Sequence, residues 1–291
     1  MFMDKYQFLD EDEAHFPEKR VSFISAPLAN TVSWGKGTEE GPHAIMEASW
    51  ALESFDDALA LETFRVGFET MPPLALQGLS SQEACEEIRL AVDCELARKR
   101  LPVLLGGEHT VTLPAVNACQ KYYPDLHVVQ LDAHLDLRNE FESSPLSHAC
   151  VMRRISDLDI PFTQIGIRSF SKEEWKLVQD RGWQPFFMQR IRQERDWMAQ
   201  VCATLTGSVY LSIDVDVLDP AVMPATGTPE PDGLSWAEVS GLIECIAKAR
   251  PIVGLDLVEF APCPGGHHAA FSAAKLLYRT LGYMFRNCFD Y

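Results

Sequence analysis

Short apolar runs alternate with longer amphipathic stretches along the 291-residue chain. The predicted strands are VSFISAPL (Val21 to Leu28), FRVGFET, LPVLLGG, LHVVQLD, FTQIGIRS, QPFFM, SVYLSIDV and IVGLDLVE. Several are unbroken apolar runs, the pattern of strands covered on both faces. The stretch SSQEACEEIRLAVDCELARKR opens with Ser80-x-x-Glu83, a capping box. It sets Ala84, Ile88, Val92 and Leu96 on one stripe and ends in Arg98, Lys99 and Arg100, which suit the negative end of a helix dipole. Ser235-x-x-Glu238 opens a second helix that stops before Pro251, and SKEEWKLVQDRG stops at Gly182. A last helix is predicted from about Ala269 to Phe285. No repeat, low-complexity tract or linker interrupts this alternation. Residues 1–291 therefore read as a single α/β domain around a mostly parallel sheet.

Composition narrows the function. Hydrophobic residues make up 47% and charged residues 23%, an ordinary soluble balance. A formal charge of -17 and a pI near 4.8 argue against nucleic acid as a partner, since phosphate binding needs a basic face. An acidic surface steers cations modestly, although solubility is its simpler origin. Eight cysteines form no CxxC pair and read as reduced thiols of a cytoplasmic protein. The acidic start, MFMDKYQFLDEDEAHF, predicts neither a signal peptide nor a membrane span.

The chemistry gathers at strand ends. In VVQLDAHLDL, Asp132, His134 and Asp136 follow an apolar run at every second position. Alternate residues of an extended chain point the same way, so these groups aim at one spot. LPVLLGGEHT delivers His109 after two glycines; SIDVDVLDP delivers Asp214 and Asp216; IVGLDLVEF delivers Asp256 and Glu259. Ligands of open α/β sheets bind beyond the carboxyl ends of strands, where these four clusters can converge. Carboxylates so placed repel unless cations compensate them. Either basic side chains pair with them, Arg138 being the one nearby in sequence, or the site holds metal. The oxygen-rich, thiolate-free set suits a pair of divalent ions and favours Mn²⁺ over Zn²⁺, without excluding Zn²⁺, Co²⁺, Fe²⁺ or Ni²⁺.

These residues resemble a known family. His109, LDAHLDL and SIDVDVLDPAVMPATGTPEPDGLSW are similar to the three signature motifs of the ureohydrolases, the arginases, agmatinases and their relatives. GKGTEEGPHAI, SPLSHACVMRRI and DLVEFAPCPG match further family segments, so the likeness spans nearly the whole chain. It implies an arginase-like, three-layer α/β fold with about eight mostly parallel strands, and a centre of two Mn²⁺ held by His109, Asp132, His134, Asp136, Asp214 and Asp216. It also implies attack on a guanidinium carbon by a metal-bridging hydroxide, with Asp136 or Asp214 bridging or orienting it. His148 would carry the proton to the leaving amine. Glu259 would accept the guanidinium hydrogen bonds, and Asp256 would be structural. The sequence departs from the family at Glu108, where aspartate is frequent, and at Ala149 and Ala225, where glycine is common. His267 and His268 fall outside the motifs and read as structural or surface.

The segment LRNEFESSPLS should wall the far end of the substrate. It lacks the arginase-type loop that grips an α-amino acid and offers Arg138, Glu140 and Glu142 instead. An acidic loop suits agmatine, whose far end is an ammonium. The expected reaction is agmatine plus water to putrescine plus urea, serving polyamine synthesis in the cytoplasm. Aminopropylagmatine, guanidinobutyrate, arginine and formiminoglutamate are the alternative substrates. No membrane partner is expected, and the family resemblance implies a homotrimer or homohexamer.

Overall fold

The computed structural model describes residues 6–10, 16 and 18–288. Most of the acidic start, on which the absence of a signal peptide and span was judged, lies outside the described residues. Among the described residues no helix is long and apolar enough to cross a membrane.

One sheet organises the chain. In sequence order its strands are β1 (Val21–Ala26), β4 (Phe68–Thr70), β5 (Leu101–Gly106), β6 (His127–Leu131), β7 (Phe162–Ile167), β8 (Phe186–Phe187), β9 (Val209–Asp214) and β10 (Ile252–Val258). All eight coincide with predicted runs. Their spatial order is β4-β1-β5-β10-β9-β6-β7-β8, and every pairing is parallel. A separate antiparallel pair, β2 (Phe55–Asp56) with β3 (Leu61–Glu62), was not predicted.

The sheet is covered on both sides. On one face Val103, Leu105, Val129, Leu131, Leu211, Ile213, Leu255 and Leu257 pack with α1 (Gly41–Ser49), α8 (Trp236–Ala249) and α9 (His267–Phe285). On the other, Ile24, Leu104, Val128 and Tyr210 pack with α2 (Ser81–Ala97), α3 (Thr112–Tyr122), α4 (Val151–Ser156) and α5 (Lys172–Arg181). Val209, Leu211, Ile213, Leu255 and Leu257 of β9 and β10 are thus apolar and fully buried, each such side chain contributing roughly 1.5–3 kcal/mol. Even positions on the second face carry Gln130, Ser212 and Asp256, also buried. The predicted capping boxes Ser80/Glu83 and Ser235/Glu238 form, as does an unpredicted one at Ser171/Glu174. Gly182 closes α5 in the left-handed conformation, φ 68°. α9 begins at His267, two residues before the expected start, and α6 (Met188–Gln193) and α7 (Trp197–Thr204) are short helices that the pattern did not reveal.

The topology explains the site. Strands β5, β10, β9 and β6 are the four central neighbours in the sheet, though scattered over the sequence. They are the strands whose ends bear His109, Glu259, Asp214 and Asp132. Gly107 lets the chain turn there, because a Cβ on it would lie 2.1 Å from the carbonyl oxygen of Leu28. The loop after β1 therefore passes directly over the end of β5, and Glu108 N–H donates to Leu28 O at 2.8 Å.

Candidate metal centre and active site

Six buried or half-buried side chains meet above these strand ends. His109 Nδ1 lies 3.1 Å from Asp132 Oδ2, 3.0 Å from Asp136 Oδ2 and 3.4 Å from Asp214 Oδ2. His134 Nδ1 lies 3.4 Å from Asp132 Oδ1 and 3.0 Å from Asp216 Oδ2. Two ligand-like groups result, His109 with Asp132 and Asp214, and Asp132 with His134 and Asp216. Asp132 belongs to both and turns one oxygen to each imidazole. Asp132 is thus the carboxylate common to the two groups.

The donor set fits metal. His109 Nδ1 is buried and makes no hydrogen bond, although three carboxylates surround it. Its other nitrogen, Nε2, is 2.9 Å from Ser212 Oγ. That hydroxyl donates to Asp256 Oδ1 at 2.7 Å, so it accepts from Nε2–H and leaves Nδ1 as the nitrogen facing the cluster, where it would offer a lone pair once a cation displaced its proton. Asp256 is held in turn by Thr112 Oγ1 at 2.8 Å and Tyr210 OH at 2.7 Å. The remaining carboxylates are braced by the main chain: Asp216 Oδ1 accepts from Ala133 N–H at 3.0 Å, and Asp132 Oδ1 from His134 N–H at 2.6 Å. Asp136 sits at φ 52° and Glu259 at φ 61°, left-handed backbone that is unusual outside glycine.

Electrostatics points the same way. Two unit charges 4 Å apart interact by about 4 kcal/mol at an effective dielectric of about 20. Burial and the Asp132 charge push Asp136 up to about 7, and burial with the charges of Asp216 and Asp132 holds Asp214 well above its ordinary value. Burial alone would depress His109 and His134, but the facing carboxylates raise both. Metal-free, this cluster retains protons; divalent cations would compete for the same lone pairs.

A cavity of about 340 Å³ opens above the cluster, lined by His109, His134, Asp136, Asp214 and Asp216 and also by His148, Glu259 and Arg138. Burial pushes Glu259 up to about 8, helped by the charge of Glu108. Burial, with the positive charges of His109 and His134, lowers His148 to about 4. Glu140 and Glu142 are exposed and are not among the lining residues. The acidic wall comes instead from Glu174 and Glu230, and the apolar one from Trp34, Phe141 and Phe170. Arg138 stands 3.8 Å from Glu174 and over the Phe141 ring at 5.3 Å. Among the described lining residues it is the single guanidinium or ammonium group. Glu230, Trp34, Ser212 and Thr31 escaped the sequence reading because no strand-end pattern marks them. Arg168 also escaped it; its guanidinium grips the carbonyls of Asp216 at 2.6 Å and Glu230 at 2.8 Å, fixing the loop between them.

Fold and site together fit a hydrolase of the ureohydrolase class, enzymes that act on guanidino groups. The family profile described as "Arginase: Arginase family" matches residues 19–282. The chain belongs to the arginase family. It is 35% identical over 285 residues to an N(1)-aminopropylagmatine ureohydrolase of Synechocystis sp., covering 95% of this chain and 93% of that one. It is 35% identical over 253 residues to an agmatinase of Halalkalibacterium halodurans, covering 86% of each. Among solved structures, the agmatine ureohydrolase of Thermoplasma volcanium superposes with a TM-score of 0.86 at 28% identity, covering 99% of this chain and 97% of that one.

Proposed function

We propose that this chain hydrolyses agmatine to putrescine and urea with two Mn²⁺ ions held by His109, Asp132, His134, Asp136, Asp214 and Asp216. The observation that carries the substrate reading is the charge of the cavity wall. Among the described lining residues, Glu174 and Glu230 are accompanied by one basic side chain, Arg138, which already stands beside Glu174, while Arg168, outside the lining, is engaged by the main-chain carbonyls of Asp216 and Glu230. An ammonium tail is welcome there and an α-carboxylate lacks a free partner.

The metal pair, when bound, neutralises the carboxylates and supplies an activated water at neutral pH. The chain's own groups do the rest. Glu259 Oε1 is occupied by the His109 N–H at 2.7 Å, so Oε2 is the atom that accepts from the guanidinium. Burial holds Glu259 at about 8 in the free chain, and the arriving cation would favour its ionised form. His148, neutral at pH 7, takes a proton in the cavity and returns it to the departing amine. The apolar walls Phe141 and Phe170 flank the alkyl chain and exclude water from it.

Aminopropylagmatine is the second reading. It is favoured by relatives bearing that name at 34–38% identity, each covering 92% or more of this chain. It too is cationic beyond the guanidinium. A cytoplasmic place, a homo-oligomer of three or six chains and a role in polyamine synthesis belong to the same proposal. Incubating Mn²⁺-loaded protein with agmatine tests it: urea and putrescine should appear in equal amounts. No urea, with two ions bound per chain, would overturn it.

A further inference from the structure

Glu108 and Thr31 form a chain of hydrogen bonds that ends on His148. Thr31 lies in the loop that Gly107 allows to cross the end of β5. Its N–H donates to Glu108 Oε2 at 2.6 Å and its hydroxyl to Glu108 Oε1 at 2.9 Å. Thr110 Oγ1 donates to the same Oε1 at 2.6 Å, and the Asn30 main chain adds a further donor. Every partner described for this carboxylate is a donor, the surroundings of an acceptor-only, ionised group.

The Thr31 hydroxyl has one hydrogen, and Glu108 takes it. Toward His148 the oxygen can only accept. It accepts from His148 N–H at 3.1 Å and faces His148 Nδ1 at 3.2 Å. A second hydroxyl, Ser147 Oγ, is more distant from Nδ1 at 3.4 Å. Among the described residues Nε2 has no protein hydrogen bond, and the ring lines the cavity with Phe141 edge-on at 5.5 Å. We infer that Glu108, acting through the Thr31 hydroxyl, fixes His148 as its Nδ1–H tautomer and so presents Nε2 as the proton-accepting atom toward the substrate. Both are positioning residues; neither reaches the cavity chemistry itself. Aspartate at 108 would be one methylene shorter, so the link to Thr31 depends on the glutamate found in this chain.

This inference rests on the proposed role of His148, and the test separates the two. Side-chain ¹⁵N spectra of histidine-labelled protein, assigned with His148→Asn, should show protonated Nδ1 in the wild type. In Thr31→Val that preference should be lost, whereas Thr31→Ser should keep it. In urea release, Thr31→Val should lower kcat roughly 10- to 100-fold, part of the 10²- to 10⁴-fold typical of general acid–base groups. KM and metal content should hold, and Thr31→Ser should restore most of the rate. A wild-type His148 protonated on Nε2, or a Thr31→Val variant with unchanged tautomer and kcat, overturns the inference. If the tautomer responds as described but His148→Asn turns over like wild type, the device stands and the shuttle role falls.

Discussion

The main-chain N–H of His109 donates to Glu259 Oε1 at 2.7 Å, joining the end of β5 to the end of β10. Glu259 N–H in turn donates to Gly107 O at 2.8 Å. The imidazole of the candidate metal cluster and the carboxylate proposed to bind guanidinium are thus set at a fixed spacing by two adjacent strands. Glu259→Gln keeps size and the acceptor for His109 but removes the charge. Transition-state binding should weaken by about 2–4 kcal/mol, roughly a 30- to 1,000-fold loss in kcat/KM. Thermal stability should not fall, because a buried carboxylate becomes neutral. Steady-state kinetics and calorimetry on one preparation check both halves; an unchanged kcat/KM removes Glu259 from the substrate site.

Asp132 turns one oxygen to each imidazole, whereas Asp216 faces only His134. Asp132→Asn should therefore lose affinity for both ions, and Asp216→Asn mainly for one. Elemental analysis after dialysis against limiting Mn²⁺ distinguishes them. Equal loss in the two variants would deny Asp132 its shared place.

Metal binding should release protons. Asp136 is pushed up to about 7 and Glu259 to about 8 in the metal-free chain. Ions arriving at neutral pH displace protons from the cluster, so Mn²⁺ affinity should rise between about pH 6 and 8. Titration calorimetry in buffers of different ionisation enthalpy reads the proton count directly. A pH-independent affinity with no protons released would contradict the description of the cluster.

His127 makes a stability prediction away from the site. It is buried at the start of β6, with Nε2 2.9 Å from Thr163 Oγ1 and Nδ1 3.1 Å from Thr206 Oγ1. Burial, with the Arg250 charge, lowers it to about 4. An unfolded histidine takes its proton near 6.5, so between about 6.5 and 4 the unfolded chain binds the extra proton. Stability should fall as the pH drops through that window, by about 1–3 kcal/mol from this group. His127→Gln should flatten that part of the curve in denaturant unfolding at pH 7 and 4.5. The same slope in both proteins would show that other groups carry the acid sensitivity.

Much of this was legible in the sequence, for local reasons. The eight sheet strands are short, dense apolar runs, and Asp132, His134 and Asp136 announce themselves by spacing alone. Glu83, Glu238 and their serines mark helix starts through bonds three residues apart. Pairing across the sheet is a different matter: nothing local in IVGLDLV places β10 between β5 and β9. Thr31 meets Glu108 across 77 residues of sequence, through a loop whose path depends on a missing Cβ at Gly107. Glu140 and Glu142 show the opposite limit, since charge in a loop does not say which way a side chain turns. They are exposed, and Glu230, from a segment anchored by Arg168, lines the cavity instead.

The most direct measurement is kcat/KM for urea release from agmatine, aminopropylagmatine, arginine and guanidinobutyrate by one Mn²⁺-loaded preparation. One of the two cationic, carboxylate-free guanidines should be turned over at least about 100-fold better than either carboxylate-bearing one, the equivalent of about 2.7 kcal/mol. Arginine or guanidinobutyrate turned over as well as agmatine and aminopropylagmatine would contradict the reading of the cavity wall.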